Sequence, residues 1–170
     1  PSIKMRNLQE NKITVYESTK EEYYTFITPE CKQAIDFYLD FRSRYGEKLD
    51  GNSDLIREQF DIRDEFAIRN PKQVIHKRIQ WNIRALAIKC GIRKNADRNT
   101  RQQVMMSHGF RKFFTTQLVN SKVNPEIREM LLGHKIGLAS AYYRPTEQEM
   151  FQEYQKAVKN LTINEENRLK

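Results

Sequence analysis

Residues 107–146 read SHGFRKFFTTQLVNSKVNPEIREMLLGHKIGLASAYYRPT, and the interpretation of the rest of the chain depends on them. Ser107 can cap a helix, because its hydroxyl can accept a hydrogen bond from a free N–H of the first turn. The side chains of that helix that we expect to face the core are Phe110, Phe113, Phe114 and Leu118. Asn124-Pro125 predicts the start of a short helix, which Gly133 ends. The apolar positions of this second helix are Ile127, Met130 and Leu131.

Four side chains of this stretch are suited to act together on a phosphodiester. His108 and Arg111 are three residues apart, so both emerge on one helix face. His134 follows the end of the short helix, and Tyr143 comes nine residues after it. A phenol, whose pKa is about 10, becomes a nucleophile when a neighbour accepts its proton or stabilises the phenolate. A planar guanidinium matches two phosphate oxygens, and imidazoles exchange protons near neutral pH.

The order and spacing of these side chains resemble the signature of the tyrosine recombinase, or phage integrase, family. The matching motifs are His108-Gly-Phe-Arg111, Leu131-Leu132-Gly133-His134 and Tyr143. The phrase Tyr142-Tyr143-Arg144-Pro145-Thr146 is most similar to integrases of archaeal mobile elements. The signature covers the 40 residues quoted above, and a predicted hairpin upstream extends the resemblance across most of the chain.

The resemblance implies a site-specific recombinase that cleaves and rejoins duplex DNA through a 3′-phosphotyrosyl intermediate. Tyr143 would attack the scissile phosphate. Arg111, His108 and His134 would hold that phosphate, and Lys20 would protonate the leaving 5′-oxygen. The phosphotyrosine would keep the bond energy, so we expect neither a metal nor ATP nor any other cofactor. The expected partners are a duplex recombination site and further copies of the chain in a tetramer, in the cytoplasm on nucleoid DNA and away from any membrane.

Two of these assignments have alternatives within the sequence. Tyr143 is chosen over Tyr142 because of its spacing from His134. Lys20 lies between the two strands of the predicted hairpin, whereas the alternative, Lys12, lies at the start of a strand.

The chain departs from the family pattern at its N-terminus. The family uses a first arginine well upstream of the hairpin lysine, and that position falls before Pro1. Arg6 is too close to Lys20 to take its place. We therefore expect a fragment that begins just after the first arginine and lacks the N-terminal DNA-clamping domain. Loss of one preorganised charge donor can lower a rate by roughly 10²–10³, which puts the activity of this fragment in question.

The upstream half predicts a small sheet and then helices. Residues 13–16 and 23–27 are β-branched and aromatic runs on either side of a polar segment, a pattern that predicts a β-hairpin. Thr28-Pro29 predicts the start of a helix that ends at Gly46. A short helix is expected at residues 53–59. Asn70-Pro71 predicts a further helix, with apolar residues from Val74 to Cys90 on one face.

The predicted fold is mainly α with a small antiparallel β-sheet near the N-terminus, similar to a tyrosine recombinase catalytic domain. Thr146-Glu147-Gln148-Glu149 is a capping box that predicts the start of the last helix. Its apolar positions are Met150, Tyr154, Ala157, Val158 and Leu161. We expect residues 1–160 to form one catalytic domain and residues 161–170 to form a flexible tail.

The charge of the chain favours a polyanionic partner. Thirty Lys and Arg stand against 22 Asp and Glu, a formal charge of +8, and each phosphate that a cation neutralises releases counterions. The cluster that we expect to contact the DNA backbone is Lys89, Arg93, Lys94, Arg98 and Arg101, although a solvated charge run is the ordinary alternative. Side chains that could extend the same face are Arg42, Arg44 and Lys48.

The remaining chemistry-bearing residues have ordinary interpretations. Cys31 and Cys90 are expected as small core residues, Trp81 as a packing residue and His76 as an exposed helix residue. No pair of cysteines or histidines has metal-ligand spacing. Two other function classes stay open. A noncatalytic DNA-binding regulator on the same fold would bind duplex DNA without covalent chemistry, and a helical protein-interaction domain would not bind DNA even at low salt.

Overall fold

A computed structural model of the chain describes residues 2–93, 107–135 and 143–168. In these residues the protein is mainly helical, with a three-stranded antiparallel sheet near the N-terminus, as the sequence predicted. The strands are β1 (Leu8–Gln9), β2 (Lys12–Val15) and β3 (Tyr23–Phe26), in that order across the sheet. A 3₁₀ turn at Met5–Asn7 leads into β1.

The predicted hairpin is confirmed as the pair β2–β3. Ile13 lies opposite Thr25, and Val15 lies opposite Tyr23. The polar segment between the strands forms the exposed tip that was expected to carry Lys20. Strand β1 was not predicted, because two residues are too few for a period-2 pattern to be recognised.

The helices of the described residues follow the sheet. They are α1 (Pro29–Arg44), α2 (Glu65–Arg69), α3 (His76–Lys89), α4 (Ser107–Asn120), α5 (Pro125–Leu131), α6 (Glu147–Leu161) and α7 (Glu165–Arg168).

Side-chain caps explain where three of the helices begin. The Thr28 hydroxyl accepts a hydrogen bond from the N–H of Cys31 at the start of α1. The Asn124 side chain accepts from the N–H groups of the first turn of α5, and Pro follows at the first helical position. Thr146 and Glu149 form the predicted reciprocal capping box of α6. All three starts agree with the sequence.

One apolar cluster joins the sheet to helices α4, α5 and α6. Phe26 of β3 packs there with residues of α4, α5 and α6, and Leu118 and Ala157 have no exposed surface. The buried members of the cluster are Phe26, Leu118, Val123, Ile127, Leu131, Met150, Tyr154 and Ala157. The core therefore holds α4 and α5 against the hairpin, and these are the elements that carry the two predicted catalytic motifs.

A buried ionic network lies beside α1. Arg42 has no exposed surface, and its guanidinium bonds both carboxylate oxygens of Glu47 at 2.5 and 3.1 Å. Arg57 donates to the same carboxylate at 2.8 Å. The prediction that Arg42 extends a DNA-binding face is therefore wrong, because its charge is buried and paired.

Two helix boundaries differ from the prediction. No helix forms at residues 53–59, and the short helix α2 begins at Glu65 instead. Helix α3 begins at His76, although Pro71 was expected at its first position. The reason is tertiary. Gln73 forms a β-bridge with Arg57, and the N–H of Glu58 donates to the carbonyl of Lys72, so residues before Ile75 are extended.

Several residues expected to be buried are exposed. Helix α3 has no buried residue, and Trp81 is 61% exposed, so its expected packing role is wrong. Phe110 and Phe113 are also exposed, because the core cluster meets α4 only from Phe114 onward. Both cysteines are exposed residues as well, so these are not core positions.

The C-terminal residues are tied to the first helix. The Glu30 carboxylate accepts hydrogen bonds from the backbone N–H groups of Ile163 and Asn164 at 2.8 and 2.9 Å. Leu161 ends α6 and Thr162 is buried. The described part of residues 161–170 thus has defined contacts with α1, while the mobility of this segment stays a prediction. None of the described helices is both long and apolar enough to cross a bilayer.

Candidate functional site

Arg111 and His134 come from separate motifs and are in direct contact. Arg111 lies on α4, and His134 lies in the turn after α5. A guanidinium nitrogen, Nη1, is 2.8 Å from Nε2 of the imidazole. The other nitrogen, Nη2, donates to the carbonyl oxygen of Leu132 at 3.3 Å. Both residues are exposed, so an anion can approach their side chains from solvent.

Gly133 allows this contact, because it turns the chain sharply before His134. Its φ is +73°, in the left-handed region that glycine adopts most readily. A Cβ built on it would meet the ring of Tyr23 at 2.6 Å, so the hairpin packs directly against the turn. Burial raises the pKa of Tyr23, and the charge of nearby Arg111 opposes that rise. Tyr23 is a neighbour of the site that the sequence did not indicate.

Glu129 holds the other side of the His134 ring. Its Oε2 is 2.7 Å from Nδ1 of His134, and its backbone carbonyl accepts the N–H of the same residue at 3.0 Å. Arg128 donates to the second carboxylate oxygen at 3.1 Å. The hydrogen bond with His134 is the largest cause of the lowered pKa of Glu129, burial opposes it, and the hydrogen bond with Arg128 lowers the pKa further. The sequence did not indicate this contact, because helix spacing does not fix the direction of the Glu129 side chain.

His108 lies with Arg111 along an open cavity of about 630 Å³ on one face of α4. The residues that line it are His108, Arg111, Lys112, Thr115, Thr116 and Val119. The hydroxyls of Thr115 and Thr116 donate to backbone carbonyls one turn earlier, at 2.9 and 2.8 Å. Their hydrogens are therefore not available to a ligand in the cavity. Lys112 adds a second cation to the lining of the cavity that contains Arg111. It was not predicted from the sequence, although the helical spacing from His108 puts it on the same face.

Tyr143, the predicted nucleophile, has its described packing contacts in the apolar core. It is half-buried and packs against the apolar core cluster. Its hydroxyl forms no hydrogen bond with Arg111, His108 or His134, all of which the structure describes. Burial raises the pKa of Tyr143, and the charges of Glu149, Glu126 and Glu153 raise it further. A raised pKa opposes formation of the phenolate, which is the nucleophilic form of tyrosine.

The two candidate lysines differ in their contacts. Lys20 is exposed on the hairpin tip and makes no ion pair with any described residue. Lys12, at the first position of β2, pairs with Glu147 at 2.8 Å and lies over the ring of Tyr24. Because its ammonium is already engaged, Lys12 is less free to donate a proton to a leaving group.

The predicted basic cluster is only partly covered by the structure. Lys89 is the exposed last residue of α3, and Arg93 is half-buried just beyond it. Lys94, Arg98 and Arg101 lie outside the described residues. Of the predicted extensions, Arg44 is exposed but pairs with Asp40, and Lys48 is exposed.

Helix α3 carries exposed cations that were not singled out from the sequence. It has four Lys and Arg and no Asp or Glu, and all four cations are exposed. They are Lys77, Arg78, Arg84 and Lys89. Arg78 lies over the ring of exposed Trp81, 5.8 Å from its centroid. The described residues contain no group of three or more His, Cys, Asp or Glu side chains that could hold a metal ion.

Comparisons of the chain with models of known protein families, with curated proteins and with solved structures find no match. The case for a function therefore rests on the motifs of the sequence and on the geometry described above.

Proposed function

We propose that the protein is a site-specific DNA recombinase of the tyrosine type, an integrase that cleaves and rejoins duplex DNA through a 3′-phosphotyrosyl intermediate. The observation that carries the proposal is the contact between Arg111 and His134. These residues are 23 positions apart and belong to different motifs, yet their side chains are 2.8 Å from each other. His108 lines the same cavity as Arg111. A guanidinium, an ammonium and two imidazoles in one exposed region suit a phosphodiester.

The proposed reaction uses these groups without a metal or another cofactor. Arg111 binds two non-bridging oxygens of the scissile phosphate, and the histidines donate further hydrogen bonds. The phenol oxygen of Tyr143 attacks phosphorus and loses its proton to a histidine, of which His108 is the better candidate. The bond from phosphorus to the 5′-oxygen breaks, and Lys20 protonates that oxygen. A 5′-hydroxyl from a partner strand reverses the attack and releases the tyrosine.

The position of Tyr143 sets a condition on this mechanism. Burial and the carboxylates near it raise the pKa of its hydroxyl, which opposes formation of the phenolate. The proposal therefore requires Tyr143 to leave the core cluster and approach Arg111 when DNA binds. Movement of residues 143–145, which precede the capping box, would achieve this without unfolding α6, because the box fixes the helix start at Thr146.

The exposed cations of α3 support binding to the DNA backbone. Phosphate contacts by Lys and Arg supply most sequence-independent affinity for duplex DNA. Lys77 and Arg84 have no ion pair among the described residues, so their charges are available to phosphates. Two recombination sites would be brought together by a tetramer of the chain, acting on nucleoid DNA in the cytoplasm.

The test is covalent trapping on a duplex whose nick next to the scissile phosphate lets the short leaving strand diffuse away. The protein, and a version extended upstream to include the arginine that the resemblance implies, are incubated with end-labelled DNA. We expect a labelled adduct that survives denaturation and is destroyed by protease. Tyr143→Phe should abolish the adduct and Tyr142→Phe should retain it. Failure of both versions to form an adduct would refute the catalytic proposal.

A second candidate is a DNA-binding regulator that performs no covalent chemistry. The packing of Tyr143 on the core cluster, without a hydrogen bond to Arg111, favours it, since a protein that never cleaves DNA has no need to unite the two residues. This candidate predicts salt-dependent binding to duplex DNA that Tyr143→Phe leaves unchanged, and no adduct from the extended version.

A further inference from the structure

The contacts of His134 determine which of its ring nitrogens carries a hydrogen. A guanidinium has only donors, so the nitrogen facing Arg111 must accept. That nitrogen is Nε2, 2.8 Å from Nη1. In this neutral ring the hydrogen is therefore on Nδ1, where it is donated to the Glu129 carboxylate at 2.7 Å. His134 in this state has no hydrogen to offer to a ligand that displaces the guanidinium.

An oxyanion that binds between the two residues needs a donor from each of them. Moving the hydrogen from Nδ1 to Nε2 would create that donor, but it would leave a nitrogen lone pair 2.7 Å from a carboxylate oxygen. Two acceptors at that distance repel each other. Adding a proton to Nε2 gives the same donor and keeps the hydrogen bond to Glu129, because both nitrogens of an imidazolium are donors.

We propose that an oxyanion binding between Arg111 and His134 is accompanied by uptake of a proton by His134, and that Glu129 imposes this coupling. The proton comes from solvent and adds to Nε2 as the guanidinium turns from the ring to the anion. The proposal rests on the phosphate site of the proposed function and adds a pH dependence to it. Glu129 touches no reacting atom, so it is a positioning residue.

Charged groups of both signs lie around the His134 ring. Arg111 of α4 and the adjacent Lys135 oppose a further positive charge, whereas Glu129 of α5 favours it. Arg128 shares the Glu129 carboxylate, and Tyr23 of β3 lies over the neighbouring glycine. His108 and Lys112 line the cavity beside Arg111. A bound dianion offsets the cations, so the balance shifts towards proton uptake when it arrives.

Glu129 remains ionised through the neutral range. Its pKa lies below the ordinary value, first because of the hydrogen bond with His134. A depressed pKa means that the carboxylate is present at all pH values above that range, so the coupling is not lost near neutrality.

The test is calorimetric titration of the chain with sulfate, which stays a dianion, at about pH 8 where a free imidazole is largely neutral. Two buffers with different ionisation enthalpies are used, because the difference between the observed heats counts the protons exchanged. We expect uptake of about one proton per sulfate. Glu129→Gln should retain sulfate binding and reduce uptake to near zero, because an amide can donate to Nδ1 and leave the hydrogen on Nε2.

Two control variants test whether groups other than His134 and Glu129 cause the proton uptake. Glu65→Gln removes an exposed carboxylate that pairs with Arg69 and should leave proton uptake unchanged. His76→Gln removes an exposed imidazole at the start of α3, outside the cavity, and should also leave uptake unchanged. Nitrogen NMR of the sulfate-free protein at the same pH should show His134 with its hydrogen on Nδ1. If Glu129→Gln does not fold, this measurement still tests the proposal, because it reports which ring nitrogen of His134 carries the hydrogen.

Three results would overturn the proposal. These are sulfate binding without proton uptake, uptake that persists in Glu129→Gln, and a sulfate-free ring with its hydrogen on Nε2. Each leaves the proposed function standing, because covalent trapping on nicked DNA measures that function independently. If the chain binds no sulfate, the proposed coupling between oxyanion binding and proton uptake is also overturned. Adduct formation on nicked DNA then shows whether the site acts on phosphodiesters only.

Discussion

Gly133 has two independent reasons to be glycine, and both act on the candidate site. Its backbone is left-handed, and the ring of Tyr23 lies where a side chain would be. The left-handed backbone turns the chain so that His134 faces Arg111. The missing side chain lets the Tyr23 ring, and with it the hairpin, pack directly on that turn. One residue therefore couples the sheet, α5 and the histidine.

Gly133→Ala should destabilise the protein by the sum of these two effects. The left-handed backbone costs about 1–2 kcal/mol in an alanine, and the clash with Tyr23 adds about 1–3 kcal/mol. Gly91→Ala is the matched control, because Gly91 has a φ of +71° and no described atom lies within 4 Å of the place that a Cβ would occupy. Urea unfolding measures both. Equal losses of stability in the two variants would show that the contact with Tyr23 costs nothing.

The residues that carry chemistry could be predicted only where a motif contains them. His108, Arg111 and His134 lie in two short motifs, and the structure brings Arg111 into contact with one histidine and into a shared cavity with the other. Glu129 and Tyr23 could not be identified in the same way. Their roles depend on side-chain directions across a helix end and across the sheet, which sequence spacing does not fix.

Helix α3 illustrates what periodicity determines at the scale of an element. The apolar spacing correctly predicted a helix, but the helix begins later than its proline suggested and buries none of its residues. Periodicity reports which residues share a face, whereas burial depends on what packs against that face. Helices α5 and α6 were predicted with nearly correct bounds, because side-chain caps mark their starts in the sequence.

The attachment of the C-terminal residues to α1 depends on one carboxylate. Backbone hydrogen bonds from Ile163 and Asn164 are the main reason that the pKa of Glu30 is lowered. A lowered folded-state pKa means that the attachment is present above the ordinary carboxyl pKa, about 4.3, and is lost as pH falls through the folded-state value. Glu30→Gln should lose it at neutral pH. Hydrogen exchange should then become faster at residues 163 and 164.

The matched control for this experiment is Glu65→Gln, which removes an equal charge from an exposed ion pair on α2. It should leave exchange at residues 163 and 164 as slow as in the unaltered protein. Slow exchange in Glu30→Gln as well would mean that other contacts hold the C-terminal segment.

At the scale of the whole molecule, the net charge of +8 is unevenly distributed. Several cations near α1 and α2 pair with neighbouring carboxylates, and Arg42 and Arg57 are buried around Glu47. Helix α3 has cations alone. The composition correctly showed an excess of positive charge. Only the fold shows which cations are paired with carboxylates of the protein and which can contact DNA phosphates.

Replacing Lys77 and Arg84 by Gln should weaken binding to duplex DNA and reduce its salt dependence. Each lost phosphate contact lowers the slope of log affinity against log salt by about 0.9, so the double variant should lose about 2. The control is Arg63→Gln with Arg69→Gln, which removes two exposed cations that already pair with Asp61 and Glu65. Fluorescence anisotropy over a range of salt measures both. Equal slopes in the two double variants would contradict a specific role for α3.

The proposed function requires Tyr143 to become covalently attached to a phosphate held by Arg111 and His134. Mass spectrometry of a protease digest, made after the upstream-extended protein has reacted with nicked duplex DNA, identifies the attached residue directly. We expect a nucleotide remnant on the peptide at Tyr143, which is absent when Arg111 is replaced by Ala. A remnant on any other residue, or none at all from a protein that binds the DNA, would refute the proposed attachment.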